Sequence, residues 1–466
     1  GRHRECTTGT ALNKASPKGN PMVRRNGFTA GFKYNGPTMF EANQPAQTLP
    51  QKRSLWRNRD FLKLWSGKTI SAFGSEISGT AISLAAILTL NATPMQLGLL
   101  GALAGIPALI IGLPAGVWVD RMRRKPIMIA SDLLRAAALV TIPAAAVFGI
   151  LSFVQLVLVS MVVKALTVFF EVADNSFLPA VTSRDQLVEG NSKLGISDSL
   201  AEIGGPAIGG VLVQAITAPF AILVDSGSYI VSALLLARIR TPEPLSQGDG
   251  QTPSMASEIV EGMRTVRSSQ VLLGLLAATA VFNLLGSFFG ALYSLYVIRS
   301  LGLTPVLLGV VISAGGVGAL IGAASADRVT RRIGVGPALI SGMAVHAVTA
   351  LLTPLAFGSV PQVTAILLFA QIAGDTMLMI FFINAVSLRQ AVTPDRLLGR
   401  VNASFQVIVA VVGPIGFLLG GLLGERLGLR PTLFIAATGS WIATAILLAS
   451  PVRTIRVLPV VDSVTE

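Results

Sequence analysis

Charged residues are scarce in this chain: only 13% of its 466 residues are Asp, Glu, Lys or Arg. A water-soluble protein carries about 25%, so the chain lacks the charge that a soluble multidomain enzyme needs on its surface. Cys6 is the only cysteine, and His3 and His346 are the only histidines. One cysteine excludes an internal disulfide framework, and two histidines are too few for a histidine metal centre. We therefore expect no metal site, no cofactor and no enzymatic activity.

Hydrophobic residues, in contrast, make up 52% of the chain and give it a mean hydropathy of +0.69. They form long blocks without any Asp, Glu, Lys or Arg, of which 77–119 is the longest. A bilayer core about 30 Å thick is crossed by roughly 20 apolar residues of helix, so the longest blocks hold two spans each. The blocks predict an all-α membrane protein of twelve helices: 64–90, 96–119, 126–149, 153–180, 192–215, 219–237, 271–299, 304–326, 335–357, 361–388, 401–424 and 431–450.

The positions of Lys and Arg predict the orientation of these helices. If alternate loops are assigned to the cytoplasm from the N-terminus onward, the tail up to Arg59 holds 11 basic residues and the other inside segments hold 17. The outside loops hold only three, Arg299, Arg426 and Arg430. Because cytoplasmic loops are enriched in Lys and Arg, both termini are predicted to be cytoplasmic. The net charge of +13 then reflects membrane topology, and we expect no nucleic acid as a partner.

The chain also resembles itself at an offset of 207 to 212 residues. The repeated pairs are Asp120-Arg121 with Asp327-Arg328, Arg124-Lys125 with Arg331-Arg332, Thr93-Pro94 and Gly98 with Thr304-Pro305 and Gly309, Gly205-Pro206 with Gly413-Pro414, and Gly209-Gly210 with Gly420-Gly421. Because an even number of spans separates the copies, the two halves have the same orientation in the membrane. Parallel repeats with a site between them are typical of rocking secondary transporters.

These patterns divide the chain into five segments: a basic, disordered tail (1–60), a six-helix half (61–237), a cytoplasmic linker (238–270), a second six-helix half (271–452) and a C-terminal tail (453–466). The linker contains an amphipathic helix from Met255 to Val271, whose apolar face includes Ile259, Met263 and Val266. This helix is either a connector on the membrane face or a regulatory or partner-binding element. The N-terminal tail either belongs to the protein or is a misassigned upstream translation.

The loop after the second predicted span carries the most specific motif. Gly116-Val-Trp-Val-Asp120-Arg121-Met-Arg-Arg124-Lys125 resembles the signature loop of the major facilitator superfamily, Gly-x-x-x-Asp-Arg-x-Gly-Arg-Arg, with Arg123 in place of one glycine. The resemblance implies two pseudo-symmetric halves and a gate, in which Asp120 pairs with the opposite half when the cytoplasmic side is closed. The gate would comprise Gly116, Asp120, Arg121, Arg124 and Lys125, with Asp327, Arg328, Arg331 and Arg332 of the second copy. The alternative is that the arginines only anchor the loop in the cytoplasm.

A second motif, Gly205-Pro206-x-x-Gly209-Gly210, resembles the core of the superfamily's antiporter motif, and Gly413-Pro414 is its counterpart in the second half. Glycines let helices approach closely and proline bends a helix, although ordinary small-residue packing is the alternative. Further stretches resemble the macrolide-efflux and siderophore-exporter branch of the superfamily, among them Asn58-x-Asp-Phe-x-x-Leu-Trp65 and Arg238-Ile-Arg-x-Pro-Glu-Pro244. The resemblance covers residues 55–456.

Ionisable side chains within the spans are the candidate functional residues, because they are costly in a membrane and usually face the bundle interior. In the superfamily the first, fourth, seventh and tenth helices line the cavity, which favours Glu76, Lys164 and Asp375, with Asn283 as a polar candidate. Glu171 and Asp174 form an acidic stripe on the same face as Lys164, near the cytoplasmic mouth. Asp132 and Arg135, three residues apart, are predicted to form an ion pair that supports the gate. Asp225 and His346 are interpreted as packed interior residues, with a proton role as the alternative for the histidine.

The resulting hypothesis is proton-coupled export. A carboxyl group removed from water binds a proton more readily, so if proton and substrate compete for one site, inward proton flow drives substrate outward. Glu76 is the first choice for the proton carrier and Asp375 the second. No Gly-x-x-x-x-Gly-Lys-Ser/Thr sequence for ATP is present.

We therefore expect a bacterial inner-membrane exporter of hydrophobic or amphipathic small molecules that works by alternating access. It would function as a monomer, with membrane lipids and its substrate as partners. Export of a siderophore or other endogenous metabolite, solute import, a channel and a membrane-embedded enzyme are the alternatives.

Overall fold

The computed structural model describes residues 55–459, apart from Arg121, residues 242–254 and, within helices, the side chains at 113, 114, 116, 117, 120, 184 and 255–257. Within this part of the chain every long element is an α-helix. The helices are α1 (Arg59–Leu84), α2 (Pro94–Asp120), α3 (Arg124–Val147), α4 (Phe153–Val181), α5 (Leu187–Ile216), α6 (Ala218–Ala237), α7 (Met255–Ser268), α8 (Gln270–Leu295), α9 (Pro305–Ile333), α10 (Val335–Leu355), α11 (Val360–Ala391), α12 (Leu398–Leu427) and α13 (Leu429–Ala449). Two of them continue as π-helical turns, α1 through Ala85–Thr89 and α8 through Tyr296–Ser300.

Twelve of the described helices are long and apolar enough to cross a membrane, and the prediction of an all-α protein with twelve spans is confirmed. The remaining helix, α7, is the amphipathic helix expected in the linker. Because α7 lies between the sixth and seventh spans, the seventh to twelfth spans are α8 to α13.

Several spans are longer than predicted, and the largest differences are at the end rich in basic residues. α9 ends at Ile333 instead of 326, and α5 begins at Leu187 instead of 192. Hydropathy marks the apolar stretch of a helix, whereas the backbone remains helical for one or two further turns through polar residues. The second copy of the signature motif, predicted as a loop, is therefore the last part of α9.

The start of α1 shows how local sequence fixes these helices. Asn58 is the N-cap, and its Oδ1 accepts hydrogen bonds from the backbone N–H groups of Asp60 and Phe61 at 3.0 and 3.1 Å. Its amide also donates to the carbonyl of Val181 at 2.9 Å. The carboxylate of Asp60 accepts hydrogen bonds from the N–H groups of Arg240 and Thr241 at 3.1 Å. The motif that begins at Asn58 thus joins the start of α1 to the ends of α4 and α6.

The first half (α1–α6) and the second half (α8–α13) pack against each other along two seams. One seam lies between α2 and α12, and the other between α5 and α9. In the first seam, a Cβ atom on Gly98 would lie 2.5 Å from the carbonyl of Phe417 and 2.8 Å from the Cα of Gly421. In the second seam, a Cβ on Gly309 would overlap the carbonyl of Pro206, and one on Gly210 would overlap that of Pro305. Only glycine allows backbones to approach this closely.

Equivalent residues of the two repeats form these seams. Gly98 corresponds to Gly309, and Gly210 corresponds to Gly421. Each seam therefore contains one glycine from the α2-type helix of one half and one from the α5-type helix of the other half. The glycines that repeat in the sequence therefore lie where the two halves contact each other.

The buried cores show that the halves are joined at one end only. We call the end with the α2–α3 and α9–α10 loops the basic end, and the other end of the bundle the opposite end. One core, at the opposite end, draws on both halves and includes Leu84 and Leu97 with Leu308. At the basic end each half has its own core residues: one core of α1–α6 around Phe177, and in the other half a core of α7–α13 around Leu388 with a small cluster around Ala338. The bundle is therefore closed at the opposite end and divided at the basic end.

Candidate functional site

A central cavity consists of three adjoining compartments of about 360, 400 and 390 Å³, of which the first and third are lined by both halves and the second by α8–α11 of the second half. The first and second compartments share Gly290 and Ser294, and the second and third share Gln371 and Asp375. The walls include residues of α1, α4, α8 and α11, the four helices that the family resemblance associates with the cavity. The second compartment is the most aromatic, with Phe282, Phe289 and Tyr293 in its lining.

Three carboxylates line the third compartment: Glu76 from α1, Glu202 from α5 and Asp375 from α11. Glu202 interacts electrostatically with both Glu76 and Asp375. The amide of Gln371 donates to Asp375 Oδ2 at 3.2 Å. The structure thus brings the two acids predicted from the sequence into one compartment and adds a third. Among the described residues no group of His, Cys, Asp and Glu has the geometry of a metal site.

Glycines on neighbouring helices make room for two of these acids. A Cβ atom on Gly205 of α5 would overlap the side chain of Glu76, and one on Gly315 of α9 would overlap the carboxylate of Asp375. Glu76 and Asp375 are therefore held in narrow gaps between helices, where a small movement of α5 or α9 changes their surroundings. The glycine of the antiporter-like motif contacts a predicted functional residue directly.

Lys164 and Asn283 lie apart from this acidic group. Lys164 is an exposed side chain in the first compartment and acts electrostatically on Glu76. Asn283 is half-buried, and its amide donates to the carbonyl of Thr279 on its own helix at 2.9 Å. Lys164 thus faces the cavity, while the polar group of Asn283 is used within α8.

The two acids of the predicted stripe on α4 have different environments. Asp174 is buried and forms an ion pair with Lys68 of α1 at 2.7 Å. Glu171 is exposed, and it interacts with the same lysine only through space. Lys68 also lies 4.0 Å from Asp198 of α5. This cluster ties α1 to α4 and α5 near the basic end.

The side chains of Asp132 and Arg135 form an ion pair on α3, with 0 and 4% of their surfaces exposed. The guanidinium group of Arg135 lies between two aromatic rings, 4.6 Å from that of Phe170 and 4.1 Å from that of Tyr229. The pair is therefore enclosed by α3, α4 and α6.

The structure describes only part of the first copy of the gate motif. Arg121, the side chain of Asp120 and the surroundings of Gly116 lie outside the described residues. Lys125 Nζ donates to the carbonyls of Ala237 and Ile239 at 3.0 and 2.6 Å, which holds the start of α3 against the end of α6. Arg124 is half-buried at the first position of α3.

In the second copy, Asp327 and Arg331 form an ion pair one helical turn apart on α9 at 2.8 Å. Arg328 and Arg332 are exposed on the same helix. In this arrangement the second aspartate therefore pairs within its own helix.

The glycines and prolines of the antiporter-like motif lie where α5 meets other helices. Gly205 and Gly209 contact α1, while Pro206 and Gly210 contact α9 of the other half. The counterpart Pro414 on α12 contacts α2 at Gly105, and a Cβ on Gly413 would lie 3.9 Å from Ser287 of α8. Pro206, Gly210 and Pro414 thus belong to the seams between the halves, whereas Gly205, Gly209 and Gly413 pack within their own half.

Two residues of the cavity and its surroundings, Glu202 and Lys68, were not predicted from the sequence. Glu202 lies in the middle of α5 and Lys68 near the start of α1, and no spacing rule connects either of them to its partners on other helices. Asp225, interpreted as a packing residue, is buried and also lines the first compartment. His346, although its ring packs against Phe282 at 5.4 Å, lines the second compartment.

The sequence profile described as the Major Facilitator Superfamily matches residues 64–417. The chain belongs to the major facilitator superfamily. Its curated superfamily relatives include macrolide efflux protein A of Streptococcus pyogenes, 25% identical over 83% of this chain and 95% of that protein. Another is the multidrug efflux pump Tap of Mycolicibacterium fortuitum, 27% identical over 74% of this chain and 85% of Tap.

Solved structures of the superfamily have the same fold. A bacterial homologue of the iron transporter ferroportin in its inward-facing state aligns with a TM-score of 0.70, 18% identity and coverage of 85% of this chain and 99% of that one. The superfamily membership and the twelve apolar helices identify a multi-pass membrane transporter, which contacts lipid and acts on a small molecule.

Proposed function

We propose that this transporter exports hydrophobic or amphipathic small molecules from a bacterial cell by alternating access, driven by the proton gradient. The observation that carries the proposal is the central cavity, which combines the aromatic residues Phe282, Phe289 and Tyr293 with the acids Glu76, Glu202 and Asp375. Apolar and aromatic walls suit the apolar part of a ligand, and carboxylates bind a cationic group or a proton.

Two features support the direction of transport. The excess of Lys and Arg at the basic end is typical of a cytoplasmic side, so the division between the halves would open to the cytoplasm of the inner membrane, with both termini on that side. The relatives are named for macrolide and multidrug efflux. A cavity accessible from the cytoplasm is the loading state of an exporter. The single chain contains both halves and the cavity, which is consistent with a monomer.

The coupling follows from competition at the acidic group, with the proton as the coupling ion and no other cofactor. Proton and substrate would exclude each other at Glu76, with Asp375 as the second acid of the group. In the outward-open state a proton displaces the substrate, and in the inward-open state a new substrate displaces the proton. The site is thereby occupied by a proton when it is open to the outside and by substrate when it is open to the cytoplasm.

The test is Glu76→Gln, which keeps the shape of the side chain but removes its charge. In proteoliposomes, one charge moved across 100 mV contributes about 2.3 kcal/mol, enough for roughly fifty-fold accumulation of a macrolide or a lipophilic cationic dye. We expect Glu76→Gln to abolish this pH-driven accumulation, because the site no longer exchanges protons. Accumulation is measured with the pH gradient imposed and then collapsed by an ionophore.

The control for this experiment is Glu189→Gln, which changes an exposed acid that is paired with Lys193 on the surface of α5. It should accumulate substrate like the unaltered protein. Full pH-driven accumulation by Glu76→Gln would show that Glu76 does not carry the proton. Accumulation that is insensitive to the ionophore in the unaltered protein would overturn the proton-driven mechanism itself.

A further inference from the structure

Asp225 on α6 is a deeply buried carboxylate that the competition mechanism does not use. Asp225 is only 1% exposed, because α6 packs against α1 and α3 in the interior of the first half. The hydroxyl of Ser228 donates to its Oδ1 at 3.1 Å. Its other oxygen, Oδ2, is buried without a hydrogen-bond partner in the described part of the chain.

The charges around Asp225 do not balance if all of its neighbours are ionised. The cation that acts on it is Arg135, and the second acid that acts on it is Asp132. Arg135 is already bound to Asp132 and enclosed by the rings of Phe170 and Tyr229. Among the described residues, the single guanidinium group held by Asp132 is therefore the cation that acts on both carboxylates. An uncompensated buried charge is costly, and a proton on one carboxyl group removes it.

The remaining charged groups nearby are engaged elsewhere. Asp174 of α4 is paired with Lys68 of α1 at 2.7 Å. Lys164 of α4 lines the same compartment but acts on Glu76 of α1. Tyr229, one turn after Asp225, shares a hydrogen bond of 2.8 Å with Ser75 of α1. Among the described residues, no Lys or Arg therefore forms an ion pair with Asp225 itself.

Asp225 also borders the cavity. Asp225 contributes to the wall of the first compartment together with Ser75, Ser78 and Tyr229. The glycine at position 74 brings α1 so close that a Cβ there would lie 2.5 Å from Asp225 Oδ1. Asp225 thus lies at a tight contact between α1 and α6, yet beside a compartment large enough for water.

We propose that Asp225 is a second proton-binding residue of the transport cycle, separate from the acidic group of Glu76, Glu202 and Asp375. Release of its proton into the first compartment leaves a carboxylate that competes with Asp132 for Arg135. This competition couples the proton to the packing of α6 on α3 and α1. The role of Asp225 in transport rests on the proposed proton-driven function, whereas its binding of a proton does not depend on that function.

The experiment compares Asp225→Asn with the unaltered protein in two measurements. Infrared difference spectroscopy of the purified protein at neutral pH detects the C=O band of a protonated carboxyl group. We expect Asp225→Asn to lose one such band and Asp225→Glu to retain a shifted one. In proteoliposomes, Asp225→Asn should exchange substrate across the membrane at equal pH but lose pH-driven accumulation. Asp185→Asn, which changes an exposed aspartate, should preserve both the band and the accumulation.

The two measurements separate the possible failures. An infrared spectrum of Asp225→Asn with every carboxyl band present would overturn the inference, whatever the transport result. Loss of the band with undiminished pH-driven accumulation would overturn the role of Asp225 in coupling. Absence of any pH-driven transport in the unaltered protein would contradict the proposed function, while the infrared result would still decide whether Asp225 holds a proton. Variants are compared only after they elute as a single species in size-exclusion chromatography.

Discussion

At the scale of single residues, two ion pairs each join an aspartate to an arginine of the same helix but differ in burial. The side chains of Asp132 and Arg135 are 0 and 4% exposed, whereas those of Asp327 and Arg331 are 73 and 78% exposed. Exposed pairs contribute about 0–1 kcal/mol to stability. Removing one partner of a buried pair costs about 3–5 kcal/mol, because the other charge is left buried and alone.

We therefore predict different effects for the same substitution at the two arginines. Arg135→Ala should lower the free energy of unfolding by about 3–5 kcal/mol, and it also removes the contacts with Phe170 and Tyr229. Arg331→Ala should leave it almost unchanged, because water screens an exposed pair. Thermal unfolding of the purified protein in detergent measures both. Equal shifts in the two variants would contradict the difference in burial.

The residue scale is also where prediction from sequence was least complete. The spacing of Asp132 and Arg135 predicted their ion pair, because residues three apart on a helix are neighbours. The partners of Glu202 and Lys68 lie on other helices, and helix periodicity does not specify which faces of two helices meet. Sequence thus located the charged residues of the spans but not the compartments that they line.

At the scale of elements, the linker helix α7 is docked on α12. A Cβ atom on Gly262 would overlap the carbonyl of Arg400, and the hydroxyl of Ser404 donates to the carbonyl of Ile259 at 3.2 Å. The carboxylate of Glu261 pairs with Arg400 at 2.6 Å. Val266, predicted on the apolar face, is fully buried. The amphipathic helix is therefore attached to the second half through backbone contact.

Gly262→Val is predicted to separate α7 from α12, since the new side chain would occupy the position of the Arg400 carbonyl. Hydrogen–deuterium exchange of the amides of α7 should then become faster, while exchange in α13 stays the same. Val260→Ala, at a position that is 60% exposed, should leave the exchange of α7 nearly unchanged. Slow exchange of α7 in Gly262→Val would mean that the contact with Arg400 does not hold the helix.

The elements themselves were predicted well, because the length of an apolar stretch and the spacing of turns are local properties of the sequence. The number and order of the spans follow directly from the uncharged blocks. Helix ends such as Leu187 of α5 and Ile333 of α9 were not predicted, since the polar turns that extend beyond the membrane have no hydropathy signal. The docking of α7 depends on a glycine whose partner lies on another helix.

At the scale of the whole molecule, the closed opposite end depends on backbone contacts between glycines. Gly98 of α2 faces Phe417 and Gly421 of α12, and Gly309 of α9 faces Pro206 of α5. These contacts exist only while the halves are joined at the opposite end. Their strength therefore enters the balance between the two states of an alternating-access cycle.

Gly98→Ala is predicted to shift this balance toward a state that is open at the opposite end. Overpacking of a close contact costs about 1–3 kcal/mol, and about 1.4 kcal/mol changes a population ratio tenfold. Spin labels on cysteines introduced at Ile150 and Phe357, exposed positions near that end in different halves, report the distance after Cys6 is replaced by serine. The population with the longer distance should increase.

The matched control is Gly112→Ala on the same helix, because a Cβ atom there would meet nothing within 4 Å. Its distance distribution should equal that of the starting protein. An unchanged distribution in Gly98→Ala would show that this seam does not limit opening. The sequence repeat predicted two similar halves, but it could not show that the repeated glycines lie at the interface between them, which is a property of the assembled pair.

The two seams are the same contact made twice, with Gly98 and Gly421 in one and Gly309 and Gly210 in the other. A contact of this kind, in which each partner presents the same surface to the other, is the isologous contact of a two-fold symmetric homodimer. Each six-helix half carries both sides of it. The present chain can therefore be understood as a fused homodimer. Covalent joining then allowed the two copies to diverge, so that buried acids such as Asp132 and Asp225 could accumulate in one half alone.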